Sequence, residues 1–309
     1  MAPAKASVII PTYNAAPSVA RTLASIEALP SVHLAEVIVC DDGSEDDTEV
    51  VVKGFAHRLP VYYLRQEDEG FRAAAARNLG IKQATGDVSR FIDADVVLPL
   101  GFLEANILRH EGSFRDRLVF GYRRRVRNAP SPNSQLPEIT DYEPDHREAQ
   151  LAPAGLALKQ SPTPWYFAYS CNLSVSGALR RQLFDEDFVG WGNEDLEFAY
   201  RAFASGAEIT AAPEASLWHI DDGQIRDPFR RNPSKADFTS FVLNTVRMQL
   251  KHASDPVLWS LLDADLVGYR VEGDRCLADS SQTDPLPIRL WALTHIRKTP
   301  NCEGWRNAG

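Results

Sequence analysis

The chain contains no Cys-x-x-Cys pair. Its four cysteines, Cys40, Cys171, Cys276 and Cys302, stand far apart, so neither a zinc knuckle nor a small disulfide framework is indicated, and a reducing cytoplasm fits best. Nowhere do about 18 apolar residues run together, and Met1 to Lys5 leads directly into a strand with no signal-peptide core. A soluble, cytoplasmic protein without an integral membrane segment is therefore expected. Basic charge is also scarce: 33 Lys and Arg face 42 Asp and Glu, a net charge of -9 that argues against nucleic acid or an anionic membrane as general partners. No Gly-x-Gly-x-x-Gly follows the first apolar run and no Gly-Lys dipeptide occurs, which speaks against a Rossmann dinucleotide site and a Walker-type phosphate loop. There is no internal repeat.

What remains is an ordinary globular composition, 44% hydrophobic and 24% charged over 309 residues, enough for one large domain or two closely joined ones. Ser7-Val8-Ile9-Ile10 is a β-branched run stopped by Pro11, and behind it Pro17 with Val19, Leu23 and Ile26 reads as a helix. Val37 to Cys40 is a second buried strand ending in Asp41-Asp42-Gly43, and Ser44 with Asp47 resembles a capping box for the next helix. Val61 to Leu64 is a third strand, Ala73 to about Ala84 a third helix, and Val88 to Ile92 a fourth strand. Strands alternating with helices imply a mostly parallel α/β sheet with helices on both faces. Such sheets bind ligands at the carboxyl ends of their strands, where Thr12, Asp41, Asp42, Asp93 and Asp95 are expected to line one crevice.

Phe91-Ile92-Asp93-Ala94-Asp95 is the centre of this arrangement. In an extended chain, side chains at i and i+2 point the same way, so the two carboxylates can share one divalent cation, or one can hold the metal and the other a hydroxyl. Hard oxygen ligands suit Mg²⁺ or Mn²⁺, ions that often arrive with a diphosphate. An isolated Asp-x-Asp also occurs in solvated surface turns.

Four ordered motifs decide how to read it: Ser-Val-Ile-Ile-Pro-Thr-Tyr-Asn at 7 to 14, Val-Ile-Val-Cys-Asp-Asp-Gly-Ser at 37 to 44, Ala-Arg-Asn-Leu-Gly-Ile at 76 to 81 and Phe-Ile-Asp-Ala-Asp at 91 to 95. Together they resemble the family 2 glycosyltransferases of GT-A fold. The resemblance implies a Rossmann-like nucleotide-binding half and a nucleotide-sugar donor, as a rule a UDP-sugar, bound through Mn²⁺ or Mg²⁺. It assigns Pro11, Thr12, Tyr13 and Asp42 or Asp41 to the nucleoside, Arg77 to the base or phosphates, Asp93 to the ribose and Asp95 to the metal. Arg77 can equally be read as a solvated helix residue.

Residues 1–127 are accordingly the donor half, and 128–164 read as a mobile loop. The irregular stretch begins with the cluster Arg123, Arg124, Arg125 and Arg127, which either closes over a diphosphate or forms a solvated face towards the acidic run Glu138 to His146. Residues 165–225 carry the acceptor and metal half, opening with a strand at Trp165 to Val175. There Trp191-Gly192-Asn193-Glu194-Asp195 places Asn193 to cap a helix whose first turn holds two acids, which helix-dipole stabilisation alone would explain. The segment also resembles the acceptor motif of β-1,4-galactosyltransferases and chondroitin-polymerase-type enzymes. That resemblance makes Asp195 the catalytic base and Glu194 an acceptor-binding residue, roles that can be exchanged, and it makes His219 a metal ligand. Trp191 then stacks on the acceptor sugar, unless it and Trp218 serve the core. Residues 226–309 form a mainly helical extension, with amphipathic segments at Phe238 to Gln249 and Trp259 to Leu266 and no chemical motif. Arg226, Arg230 and Arg231 are either diphosphate contacts or surface charge.

The implied activity is metal-dependent, inverting transfer of a sugar from a nucleoside-diphosphate sugar to a hydroxyl acceptor. A nucleotidyltransferase or sugar-nucleotide hydrolase could use the same acid-metal crevice, but neither needs the Trp-Gly-x-Glu-Asp motif. A non-catalytic carbohydrate-binding module would have no use for the carboxylates.

Overall fold

The computed structural model describes residues 3–111, 116–127, 141–151, 158, 161–221 and 238–296. The opening β-branched run forms β1 (Ala6–Thr12), in which Val8 and Ile10 enter one apolar cluster and Ile9 another, all three wholly buried. A strand that is apolar on both faces needs cover on both. In chain order there follow α1 (Ala16–Glu27), β2 (Leu34–Asp41), α2 (Thr48–Gly54), β3 (Val61–Arg65), α3 (Ala73–Gln83), β4 (Val88–Ile92), β5 (Val96–Val97) and α4 (Phe102–His110). Next come β6 (Arg117–Phe120), β7 (Arg123–Val126), α5 (His146–Leu151), β8 (Asn172–Ser176), α6 (Glu194–Ala204), β9 (Glu208–Ala211) and β10 (Leu217–Ile220). The chain closes with α7 (Thr239–Lys251), α8 (Pro256–Leu266), the hairpin β11 (Tyr269–Glu272) and β12 (Arg275–Ala278), and α9 (Leu286–Ile296).

Helices α1, α2 and α4 cover the Val8 face of the sheet through Leu23, Val52 and Phe102, whereas α3 and α6 cover the Ile9 face through Ala76 and Phe198. Close approach of α3 needs Gly80, because a Cβ there would run into Ile9 and lie 2.9 Å from Cys40 Sγ. The main sheet has the order β3-β2-β1-β4-β8-β6-β9. Its pairs are parallel except those of β8, which runs antiparallel to β4 and β6. A second sheet, β5-β10-β7, lies beyond the end of β4 and brings β10 beside the turn that follows it. The expected mostly parallel α/β sheet with helices on both faces is present.

Three local expectations need correction. The arginine cluster is not loop: Arg123–Val126 is β7, paired in parallel with β10. Its arginines are tolerated because Arg124 Nε donates to Glu148 Oε1 at 3.0 Å and its guanidinium lies 5.2 Å from the Tyr142 ring centre. Residues 128–140, 152–157 and 159–160 of the expected loop lie outside the described residues, as do Arg226, Arg230 and Arg231. The expected strand at Trp165 to Val175 begins only at Asn172; Pro164–Phe167 is a helical turn whose Trp165 ring meets Tyr200 edge-on at 5.2 Å. Finally, Ser44 and Asp47 do not cap α2 as expected: Ser44 Oγ accepts from the Asn14 N–H at 2.8 Å, and it is Asp46 Oδ1 that accepts from the Thr48 N–H at 3.0 Å.

Beyond the second sheet, α7, α8, α9 and the hairpin bury Phe238, Val242, Leu266, Cys276 and Ile288 in a core of their own. Met248 of α7 and Leu262 of α8 join the cluster around Phe198, so this region is continuous with the main body. No helix among the described residues is long and apolar enough to cross a membrane. Cys40, Cys171 and Cys276 are buried free thiols.

Candidate active site

Asp93 and Asp95 occupy the turn between β4 and β5. Antiparallel pairing of β10 with β5 sets His219 opposite Val96, and the Ile220 N–H donates to the Asp95 carbonyl at 2.9 Å. These backbone contacts carry the His219 ring to the two acids: Nε2 is 3.3 Å from Asp95 Oδ1 and 3.8 Å from Asp93 Oδ2. One ligand atom from each of the three residues fits within 4.8 Å of the others. Two carboxylate oxygens and an imidazole nitrogen so disposed form a donor set suited to Mn²⁺. Burial alone would lower the basicity of His219, but the charges of Asp95 and Asp93 outweigh it and raise the ring above its ordinary value. The sequence left Asp93 either to share a cation with Asp95 or to hold a hydroxyl, and the resemblance gave it the ribose and gave Asp95 and His219 the metal; the geometry groups all three.

Arg77 connects this cluster to the Trp191-Gly192-Asn193-Glu194-Asp195 segment. It is 5% exposed, so the solvated-helix reading does not hold. Its Nη1 donates to Glu194 Oε1 at 2.9 Å, while Nη2 lies 3.7 Å from Asp93 Oδ1. Burial acts against its charge, but Glu194, Asp93 and Asp195 more than compensate. Residues from α3, α6 and the end of β4 thus meet in one charged crevice.

Glu194 and Asp195 open α6, yet their surroundings differ. Glu194 is buried, and burial together with the adjacent Asp195 pushes its carboxyl up to about 7 against the pull of Arg77. Asp195 is half-buried; its Oδ2 accepts from the Ser170 N–H at 3.1 Å and its Oδ1 from the Leu196 N–H at 2.8 Å. Asn193 does not cap the helix with its side chain as the sequence suggested. Its backbone is left-handed, φ 68°, and its amide turns away to Thr245.

At the carboxyl ends of β1 and β2 the expected donor residues lie side by side, Thr12 pairing with Asp41. Thr12 Oγ1 is buried with no hydrogen-bond partner among the described residues, a group that calls for an acceptor or donor from a ligand. Pro11 pairs with Cys40, and Tyr13 donates its hydroxyl to Asp68 Oδ2 at 2.9 Å. Asp41 is occupied by its own turn: Oδ1 accepts from the Gly43 and Ser44 N–H groups at 2.9 and 2.6 Å, and Oδ2 from the Tyr63 hydroxyl at 2.8 Å. Asp42 holds the next loop, accepting from Gln66 Nε2 at 2.6 Å and the Arg72 N–H at 2.7 Å. Burial nevertheless raises its carboxyl above the usual range.

Trp191 is partly exposed, 5.5 Å from the Phe241 ring, and its N–H donates to Ser240 Oγ at 3.1 Å. Sequence reasoning did not find Ser170 or the α7 residues behind Trp191. Ser170 sat in a segment read as strand, and the polar positions of α7 carry no motif; buried Asn and Thr within an otherwise apolar helical face were the available signal.

A sheet of this topology with an Asp-x-Asp turn, a facing His and an acidic helix start defines a GT-A glycosyltransferase. The model described as "Glycosyl transferase family 2" matches residues 7–155. Over 305 residues the chain is 32% identical to validoxylamine A glucosyltransferase of Streptomyces hygroscopicus subsp. jinggangensis, covering 93% of this chain and 68% of that protein. It is 28% identical over 235 residues to chondroitin synthase of Escherichia coli, covering 69% of this chain and 34% of that one. The mannosyltransferase PcManGT from Pyrobaculum calidifontis, solved in complex with GDP-Man and Mn2+, shares the fold with a TM-score of 0.59 at 20% identity, covering 97% of this chain and 76% of that one. The chain belongs to glycosyltransferase family 2 and is a glycosyltransferase.

Proposed function

We propose that the protein is a metal-dependent, inverting glycosyltransferase that moves a sugar from a nucleoside-diphosphate sugar, in first place a UDP-sugar, to a hydroxyl of a saccharide, peptide or small-molecule acceptor. The observation that carries this reading is the grouping of Asp93, Asp95 and His219 within 4.8 Å, linked through Arg77 to the Glu194-Asp195 pair. Thr12, Asp42 and the neighbouring Pro11 and Tyr13 bind the nucleoside. Asp93, Asp95 and His219 hold the divalent cation, Mn²⁺ or Mg²⁺, which when bound offsets the negative charge that gathers on a departing diphosphate.

Asp195 removes the proton from the acceptor hydroxyl while that oxygen attacks the anomeric carbon. The bond to the diphosphate oxygen breaks in the same displacement, its electron pair leaves with the nucleoside diphosphate, and the anomeric configuration inverts. The Ser170 N–H holds Asp195 in place, leaving Glu194 to bind the acceptor under the guidance of Arg77.

The direct test replaces Asp195 with Asn. Loss of a positioned base costs about 10²–10⁴-fold in rate, so turnover of the donor should fall by at least that lower figure while calorimetry shows UDP and Mn²⁺ binding as in the wild type. Near-normal turnover with intact donor binding would remove Asp195 from the mechanism.

A further inference from the structure

The loop that delivers Glu194 and Asp195 has an unusual backbone. Gly190, Gly192 and Asn193 all have positive φ, at 80°, 106° and 68°. For Asn193 such a conformation costs free energy and persists only when its surroundings impose it. Those surroundings come from α7, in the region where sequence reading found no motif.

Asn244 Nδ2 donates to the carbonyls of both Val189, at 3.2 Å, and Gly192, at 2.9 Å. The orientation of that amide is fixed in turn by Arg247, whose Nη1 donates to Asn244 Oδ1 at 2.6 Å. One residue further on, Thr245 Oγ1 accepts from Asn193 Nδ2 at 2.8 Å while donating to the Phe241 carbonyl at 2.8 Å. Ser240 Oγ accepts from the Trp191 N–H at 3.1 Å. A Cβ on Gly192 would lie 2.8 Å from Phe241 Cδ2, so the loop lies directly against the helix. Positions 240, 241, 244 and 245 fall on one side of a helix. Asn244 and Thr245 are wholly buried, where an amide and a hydroxyl are destabilising unless bonded; Asn244 finds its acceptors in two backbone carbonyls of this loop, and Thr245 accepts from the Asn193 side-chain amide.

We infer that α7 is a positioning element of the acceptor site, with Asn244 as the positioning residue that sets the direction in which α6 presents Glu194 and Asp195. The inference rests on the glycosyl-transfer reading for its chemistry, and on hydrogen bonds alone for its geometry. It assigns residues well outside the 7–155 match to the active-site machinery.

Two measurements on Asn244→Ala and Ser240→Ala test it. Hydrogen exchange is followed across residues 190–196, and nucleoside-diphosphate release is followed with whichever of UDP-, GDP- or dTDP-glucose the wild type hydrolyses in Mn²⁺. Losing a two-acceptor amide should raise exchange and lower donor hydrolysis each by about tenfold, and losing the Ser240 hydroxyl by about two- to threefold, each hydrogen bond being modest in net terms. The affinity for UDP with Mn²⁺ should stay within about twofold. Unchanged exchange and hydrolysis in Asn244→Ala overturn the inference, as does a parallel loss of UDP affinity, which would mark α7 as general scaffold. Should the wild type release no nucleoside diphosphate and bind none of UDP, GDP and dTDP, the transfer reading falls, and exchange across 190–196 still decides whether α7 sets the loop.

Discussion

Glu194 and Asp195 are neighbours in sequence with separate fates: one is buried against Arg77, the other is held half-exposed by Ser170. Burial and the charge of Asp195 hold Glu194 protonated up to about pH 7, although Arg77 opposes them. A carboxyl raised in this way works against the fold, since the native state keeps the proton from its ordinary 4.5 up to about 7 and the group's contribution to stability falls as pH rises through that window. On the proposed role of Glu194 the sign for activity is opposite, because the ionised carboxylate is the stronger acceptor of hydrogen bonds from Arg77 and from the attacking water or acceptor hydroxyl. Donor hydrolysis should therefore fall as pH drops below about 7, and Glu194→Gln should run at a lower rate with no inflection there; a variant that keeps the wild-type profile would assign the ionisation elsewhere. Much at this scale was legible. The sequence placed Asp93, Asp95 and His219 at one site and they lie together, and Arg77, inside a motif, is buried despite its character as a charged helix residue. What sequence could not give was the partner of Arg77, since Glu194 is 117 residues away.

Helix α6 is tied to α7 by a buried cluster behind the site. Glu197, wholly buried, accepts from Arg201 Nε at 2.9 Å and lies 2.6 Å from Lys251 Nζ and 3.2 Å from His252 Nε2. Although burial alone would raise it, these partners bring its carboxyl down to about 2 from an ordinary 4.5. A depressed carboxylate stabilises the fold above its unfolded value and loses that contribution as pH falls through the folded one. At 1.36 kcal/mol per pK unit the shift corresponds to about 3 kcal/mol at neutral pH. Glu197→Gln should cost about that much in urea unfolding at pH 7, with the difference from wild type shrinking between about pH 4.5 and pH 2. A penalty that does not change with pH would show that packing, not charge, gives Glu197 its value. Element boundaries were legible where apolar period was clear, as in β1, β2 and α3, and failed where it was not. β7 is three arginines and a valine, with no alternation of polarity to announce a strand; pairing with β10 and contacts from Glu148 and Tyr142 create it. Trp165-Tyr166-Phe167 failed the other way, since aromatic residues favour strands but here pack as a turn against Tyr200 and Asp265.

Across the whole molecule, alternation of strand and helix in the first 110 residues was enough to foresee a parallel sheet and a crevice at its strand ends. The reversed direction of β8, the second sheet and the seating of α7 against the acceptor loop were not, because each depends on pairing between residues 40 or more positions apart. They matter most for function: the second sheet brings His219 to Asp93 and Asp95, and α7 fixes the loop before Glu194. Asp93, Asp95 and His219 offer two carboxylates and an imidazole within 4.8 Å of one another, the donor set on which the proposed divalent cation and, through it, a diphosphate would depend. The most direct measurement is nucleoside-diphosphate release from UDP-, GDP- and dTDP-sugars, with Mn²⁺ and with EDTA, since slow donor hydrolysis needs no identified acceptor. The account predicts release from at least one donor that Mn²⁺ supports, EDTA abolishes and Asp95→Asn removes. Release that persists in EDTA, or absence of release together with no Mn²⁺-dependent UDP binding by calorimetry, would contradict it.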